Sequence, residues 1–288
     1  MMSPVGEGGS KRRGDAVGEG SQEPIIDVLD DAWQAIGELG GGLEESEWEM
    51  PSECPGWSVR DVLSHMVGTE RSLLGDAAPD PLSEPGHVHN EVGARNEGWV
   101  VALRGMSGPE VLTAFRQATE RRLAELRSWP VSRFDEVGPS PLGPVPYREF
   151  MRVRVMDCWV HEQDIRVATA RPGHREGPAA SLALDRLVSA MPFVVGRQAK
   201  APEGSSVRFE LTGNSPRRVE VVVSSGRAAV TEALESEPTT ELRMDLEVFW
   251  RLACGRVTGE AARAAALVEI RGDGELGQSV VDSMAFMI

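Results

Sequence analysis

The sequence predicts an α+β protein of two domains, a helical N-terminal domain and a small C-terminal domain with a mostly antiparallel sheet. Between residues 24 and 170, apolar residues recur at three- and four-residue intervals, as in amphipathic helices. After residue 200, apolar and polar residues alternate in short segments, as in half-buried strands. The length of 288 residues also favours two domains. The predicted divisions are a disordered tail at 1–23, the helical domain at 24–175 and the α+β domain at 176–288.

The N-terminal helices are predicted from their apolar spacing and from the residues at their ends. Gly40 follows the first apolar stripe and begins a run of three glycines that should end the helix. Ser58 is a favourable N-cap for the second helix, and Asp61 stands three residues later, close to a capping box. Pro109 occupies a first-turn position of the fourth helix. The predicted helices are 24–39, 58–74, 90–104, 108–129 and 147–170.

The C-terminal elements are less regular in spacing but distinct in pattern. The segment 178–198 reads as a helix that bridges the two domains, and 214–216 reads as a turn between two strands. Strands in succession with few helices favour an antiparallel α+β domain. The predicted strands are 207–212, 219–224, 228–233, 240–244 and 268–271, and the predicted helices are 246–254 and 276–287.

Charge and cysteine usage exclude several classes of protein. The net charge of -15 argues against a nucleic-acid binder and against adsorption to anionic membranes. No run of 18 apolar residues is present, so no membrane span is expected. The three cysteines are widely spaced and form no C-x-x-C pair, which argues against a disulfide framework or a cysteine zinc ribbon. A reducing cytoplasm is the predicted compartment.

Two helices carry residues that could bind a metal. Asp157 and His161 are four residues apart, so they lie on one helix face, one turn apart. His65 lies at the edge of the apolar stripe of the second helix. Two imidazoles and one carboxylate are the ligand set of a catalytic zinc with an open position, and the set also suits other divalent ions. Asp164, three residues after His161, could orient an imidazole, whereas Glu162 points to another face.

The same residues also have structural explanations that involve neither metal binding nor catalysis. An Asp-x-x-x-His pair is common on solvated helix faces, and a single histidine beside an apolar stripe is more often a hydrogen-bonded core residue than a ligand. Cys158 is predicted to be a buried residue of the helical core and not a nucleophile. Cys54 lacks an evident basic partner, so its spacing does not support a catalytic thiol.

Three segments carry a resemblance to a known family. The segments 54–65 (CPGWSVRDVLSH) and 157–164 (DCWVHEQD) resemble the two signatures of the mycothiol-dependent maleylpyruvate isomerase family, within the DinB-like superfamily. The segment 249–256 (FWRLACGR) resembles the small, sterol-carrier-like C-terminal domain of that family. The resemblance carried by segments 54–65 and 157–164 covers roughly residues 24 to 175.

The resemblance implies a DinB-like four-helix bundle whose metal, usually zinc, is held by His65, Asp157 and His161. The chain departs from the isomerase pattern in one ligand, because that pattern has glutamate where this chain has Asp157. The resemblance also implies a catalytic arginine on the third helix, which is matched by Arg95. Two arginines of the C-terminal signature are the implied binding residues for the thiol, namely Arg251 and Arg256.

The expected function is therefore that of a metal-dependent enzyme. Mycothiol would be activated for addition to a small electrophile, in an S-transferase or in a maleylpyruvate-type cis–trans isomerase. A non-catalytic ligand-binding protein with a structural metal and a metal-dependent hydrolase remain alternatives. The expected partners are small molecules, with no nucleic acid and no membrane, and the chain is expected to be a monomer or a homodimer.

Overall fold

The computed structural model describes residues 23–80, 86, 88, 90–141 and 143–287. The predicted tail up to residue 22 lies outside the described residues, as does most of the loop that carries His87 and His89.

Five helices form the N-terminal part, close to their predicted positions. Ser58 caps α2 through a complete capping box, because its hydroxyl accepts from the Asp61 backbone N–H and the Asp61 carboxylate accepts from the Ser58 N–H. Asn90 caps α3 through its side chain. The helices are α1 (Ile25–Gly41), α2 (Val59–Leu73), α3 (Glu91–Leu103), α4 (Gly108–Ser128) and α5 (Tyr147–Ala168).

Four of these helices pack as a bundle. Helices α1 and α2 each contact both α4 and α5, while α3 packs against α2. Gly68 permits this last contact, because a Cβ atom there would lie 2.2 Å from the Trp99 ring. The bundle interior is mainly apolar, and the buried polar residues include the cluster described below.

The connection between α4 and α5 contains a strand pair that the sequence did not indicate. Strands β1 (Val137–Gly138) and β2 (Val145–Pro146) pair antiparallel and deliver the chain into α5. Each is only two residues long, which is too short for an alternating pattern to be visible in the sequence.

The predicted single helix at 178–198 is broken in the structure. It consists of α6 (Pro178–Val188), the short α7 (Met191–Phe193) and a π-helical turn at Val194–Gln198. Pro192 lies at this interruption and lacks the N–H that a continuous helix requires. The segment Pro178–Gln198 has the length and hydropathy of a membrane span, and 44% of it is buried inside this fold. Because α6 packs against both α5 and α8 (Leu246–Ala253), the division at residue 175 stays a prediction.

The C-terminal part contains the predicted sheet, with strand order β5-β4-β3-β6-β7. All its strand pairs are antiparallel except the central pair of β3 and β6. The helix α9 (Gly259–Ala264) was not predicted, and α10 (Gly274–Asp282) ends before the predicted limit at residue 287. The strands are β3 (Ser206–Thr212), β4 (Arg217–Ser224), β5 (Arg227–Thr231), β6 (Thr240–Asp245) and β7 (Val268–Gly272).

Helix α8 joins this sheet to the bundle. Trp250 on α8 meets Trp159 on α5 edge-on, with ring centroids 6.0 Å apart. The segment around the end of α8 also carries two arginines that bond to acidic residues of the N-terminal part. The C-terminal domain therefore lies directly beside the helix that carries the candidate metal ligands.

Candidate metal centre

The structure brings the three sequence-predicted ligands together in the bundle. His65 comes from α2, and Asp157 and His161 come from one face of α5, with one ligand atom of each within 4.8 Å of the others. The two imidazole rings are 4.9 Å apart and nearly perpendicular. Both histidines are buried, at 5% and 8% exposure, while Asp157 is partly exposed and marks the side on which the cluster meets solvent.

The spacing of the donors fits a metal ion better than a hydrogen-bonded core. His65 Nε2 lies 3.7 Å from Asp157 Oδ2, and His161 Nε2 lies 3.7 Å from Asp157 Oδ1. Both distances exceed a hydrogen bond. Ligands about 2.1 Å from a tetrahedral zinc lie about 3.4 Å apart, close to the separations found here. His65 Nδ1 is buried without a hydrogen-bond partner among the described residues, and Nε2 is the nitrogen that faces Asp157.

Asp164 holds the second nitrogen of His161. Asp164 Oδ2 lies 3.0 Å from His161 Nδ1, which leaves Nε2 directed at the cluster. Arg256 donates to both oxygens of Asp164, at 2.9 Å from Nε and 2.8 Å from Nη2. A carboxylate that orients a ligand imidazole is a common feature of metal sites. Here that carboxylate is in turn fixed by the C-terminal domain.

Arg154 holds the carboxylate of Asp157 and is itself held by Glu70, and the sequence prediction missed both residues. Arg154 Nη1 donates to Asp157 Oδ2 at 2.5 Å, and Nη2 donates to Glu70 Oε1 at 2.6 Å. Arg154 and Glu70 are 5% and 1% exposed. Both residues lie on the apolar face of their helix in the sequence pattern. Since a charged residue is rarely buried without a partner, this position could have predicted that each has a buried partner.

The electrostatics of the two imidazoles differ. Burial lowers the pKa of His65, so its ring is neutral and has a nitrogen lone pair that can bind a cation. Burial also acts to lower the pKa of His161, but Asp157 and Asp164 outweigh it and raise that pKa to about 10. Burial acts to raise the pKa of Asp157, yet Arg154 and the two histidines hold it well below its usual value. A cation would have to displace the proton of His161 before using that nitrogen as a ligand.

Cys54 and Trp57, from the loop before α2, complete the surroundings. Cys54 Sγ lies 3.2 Å from Asp164 Oδ2 and 3.9 Å from His161 Nδ1, so the thiol does have a basic neighbour. The Trp57 ring lies 5.3 Å from the His65 ring and 6.4 Å from the His161 ring. Both residues also line a surface depression of about 380 Å³ beside the cluster. Their Cys-Pro-Gly-Trp loop thus forms one wall of the site.

The remaining predicted site residues occupy different positions. Arg95 is exposed on α3 and makes no hydrogen bond or ion pair with any described residue, so its catalytic role stays a prediction. Arg251 pairs with Glu53 across the domain junction. Arg256 uses its third nitrogen for the Cys254 carbonyl, so all three of its nitrogens have protein acceptors. The direct binding of a thiol by either arginine also stays a prediction.

The other polar and thiol groups on α5 lie outside the cluster. Glu162 bonds to Arg166 and His174 rather than to a ligand residue. Cys158 is fully buried next to Arg154, and burial raises its pKa to about 12, which keeps the thiol protonated.

Two family models match most of the chain. Residues 29–166 match the mycothiol maleylpyruvate isomerase N-terminal domain, and residues 181–278 match the C-terminal domain of the same family. Among curated proteins, the “Uncharacterized protein Rv0738” of Mycobacterium tuberculosis (strain ATCC 25618 / H37Rv) is 26% identical over 152 residues, which is 53% of this chain and 69% of that protein.

Solved structures show the same fold. The crystal structure of the mycothiol-dependent maleylpyruvate isomerase superposes with a TM-score of 0.54 at 17% identity, and covers 81% of this chain and 89% of the other. A histidine-to-alanine mutant of that enzyme gives a TM-score of 0.56 at 15% identity, with 86% and 91% covered. The predicted fold class, a helical bundle followed by a mostly antiparallel α+β domain, is thereby confirmed.

Proposed function

The chain belongs to the mycothiol maleylpyruvate isomerase family, and from this premise we propose that it is a metal-dependent enzyme that activates mycothiol. The thiol would add to a small electrophile, with maleylpyruvate-type cis–trans isomerisation as the first candidate reaction and S-transfer as the second. Zinc is the expected ion, because two imidazoles and one carboxylate with an open position are typical of catalytic zinc.

The observation that carries the proposal is the donor cluster of His65, Asp157 and His161. These side chains converge within 4.8 Å, at separations that suit a cation and exceed hydrogen bonds. When bound, a divalent cation would supply a Lewis acid that favours the thiolate over the thiol. The cluster is buried except on the side of Asp157, so the open position would face the thiol and the electrophile.

The chain's own residues would orient the reaction. Asp164 keeps Nε2 of His161 directed at the cluster, and Arg256 keeps Asp164 in place, which favours a positioning role for this arginine. Arg251 is the better candidate for binding the thiol, because its Nε is buried and has no hydrogen-bond partner among the described residues. Arg95 is exposed on α3 and would bind a substrate carboxylate by a bidentate pair.

The two candidate reactions differ in the fate of the thiol. In isomerisation, the sulfur would form a bond to one carbon of the double bond, the remaining single bond would rotate, and the C–S bond would break again with release of the thiol. In S-transfer, the C–S bond would persist in the product. Isomerisation therefore regenerates the thiol, whereas transfer consumes one thiol for each electrophile.

The decisive experiment is a thiol balance during turnover. Purified protein is supplied with mycothiol and a cis-configured 2-oxo-alkenoic acid, and free thiol and both geometric isomers are measured over time. Conversion with constant free thiol indicates isomerisation, and equal loss of thiol and substrate indicates transfer. Conversion at the same rate without any thiol would contradict the proposal and favour hydrolysis or another thiol-independent reaction.

The metal is tested separately by elemental analysis of the purified protein. We expect about one zinc per chain, in keeping with one three-ligand site, and its loss in His65→Ala. His174→Ala is the matched control, since His174 is also a partly buried histidine beside a carboxylate but lies outside the cluster. Wild-type protein that binds no divalent cation would refute the proposed site.

We also propose a cytoplasmic location and a monomeric or homodimeric state. The three cysteines are free and buried, which suits a reducing compartment. Fractionation and sedimentation of the full-length chain would test both statements.

A further inference from the structure

The carboxylate ligand of the candidate metal centre is held by a buried arginine of its own helix. Arg154 lies one turn before Asp157 on α5 and donates to its Oδ2. The other two nitrogens of Arg154 donate to Glu70 Oε1 on α2, at 3.2 Å from Nε and 2.6 Å from Nη2. Every nitrogen of this guanidinium therefore has a carboxylate acceptor. Such a planar group, bonded on both edges, leaves little freedom to the carboxylates that it joins.

The contact depends on the length of the side chain at position 157. Aspartate keeps its carboxylate close to the helix, where a side chain three residues earlier can reach it. Glutamate would place the carboxylate one methylene further from the helix, on a side chain with one more rotatable bond, so the Arg154 bond would restrict its position less. Each Asp157 oxygen also faces one imidazole, at 3.7 Å in both cases, so the Arg154 bond fixes the plane in which both oxygens lie.

We propose that Arg154, anchored by Glu70, is a positioning residue that orients Asp157 toward a divalent cation and thereby compensates for the shorter carboxylate. The inference rests on the metal site of the proposed function. A ligand that is already fixed needs no ordering when the cation binds, so affinity rises. Residues that hold metal ligands in this way commonly contribute about 10- to 100-fold to metal affinity.

The test measures zinc affinity of the full-length protein by competition with a chromophoric chelator. Arg154→Met should lower the affinity by about 10- to 100-fold. The zinc affinity of Arg154→Lys should lie between those of the wild type and Arg154→Met, because one ammonium cannot reproduce the fork that joins two carboxylates. The matched control is Arg122→Met. Arg122 is 1% exposed and lies 3.8 Å from the same Glu70, but it contacts no residue of the cluster, so wild-type affinity is expected.

A double-mutant cycle isolates the contact between Arg154 and Asp157. In an Asp157→Glu background, Arg154→Met should lower zinc affinity by a smaller factor than in the wild type, because the longer carboxylate depends less on Arg154 for its position. With Asp157 in place, Arg154→Met should give the full loss of zinc affinity, about 10- to 100-fold. The visible spectrum of the cobalt-substituted protein supplies a second measurement, since a reoriented carboxylate alters the ligand field.

The outcomes separate this inference from the proposed function. Equal zinc affinity of the wild type and Arg154→Met, or an equal loss in Arg122→Met, would overturn the positioning role while the metal site stands. A wild-type protein without zinc affinity would overturn both. If Arg154→Met does not fold by circular dichroism, Arg154→Lys decides. A cobalt spectrum identical to the wild type would then overturn the inference, and an altered spectrum with weaker binding would support it.

Discussion

Replacing Arg256 by methionine should remove the polar contact between the C-terminal domain and the candidate metal centre, and should destabilise the fold. Arg256 connects the two through hydrogen bonds, because it donates two bonds to Asp164, which in turn holds His161. Methionine keeps much of the apolar length of the side chain but removes the charge and the donors. Asp164, which is fully buried, would keep only the partners on its own side of the domain junction.

The size of the effect follows from the burial of the pair. The Asp164 side chain is 0% exposed and that of Arg256 is 14% exposed, so solvent screens this pair little. Loss of one partner from a buried pair costs about 3–5 kcal/mol. The pKa of Asp164 agrees in direction: burial acts to raise it, but His161 and Arg256 lower it to about 2. A destabilisation of about 3–5 kcal/mol is therefore expected.

The assay is urea unfolding followed by tryptophan fluorescence, with metal-free protein at neutral pH. Arg263→Met is the matched control, because Arg263 also donates to both oxygens of an aspartate, Asp282, but on the surface. Exposed pairs contribute about 0–1 kcal/mol. If the two variants lose the same free energy of unfolding, or if Arg256→Met loses less than about 1 kcal/mol, the reasoning from burial is wrong.

Two further predictions concern stability. His174 Nδ1 donates a hydrogen bond to the buried Glu162 carboxylate, which raises the pKa of His174. This pair should therefore stabilise the fold fully below pH 6.5 and less as the pH rises through the raised pKa. His174→Gln should remove that part of the pH dependence in urea unfolding between pH 6 and 9, and parallel curves would contradict the assignment. Gly68→Ala should cost about 1–3 kcal/mol, because its Cβ would overlap the Trp99 ring. Gly105→Ala, in open space, should cost far less in the same assay.

Local signals predicted the helices well, because their information lies within a few residues. The capping box of Ser58 and Asp61 and the helix that carries Asp157 and His161 are contained in short segments. The approach of His65 to that helix was expected from a family resemblance rather than from spacing, which is only a weak signal. The break at Pro192 was missed because the apolar pattern continues through it.

Long-range polar pairing could not be predicted in the same way. Arg154 and Glu70 are 84 residues apart, and Arg256 and Asp164 are 92 residues apart. The sequence shows that these residues are charged, but only the packed helices determine which charges are buried together. The predicted role of Asp164 beside an imidazole was local, three residues from His161, whereas its bond to Arg256 depends on how the two domains meet.

The buried charges around the centre argue that a cation and a thiolate would bind together. With both histidines neutral, the charged groups around them carry one net negative charge; these groups are Asp157, Asp164, Glu70, Arg154 and Arg256. The buried Arg122 beside Glu70 adds no net charge, because it is paired with Glu125. A divalent cation alone would change this to one net positive charge, and a bound thiolate would then bring it to neutrality. Because unbalanced charge is costly where solvent is excluded, each of the two should favour the other. The two arginines thus have opposite consequences for the site. They fix the carboxylates that orient the ligands, and they also cancel enough negative charge for an anionic sulfur to be accepted.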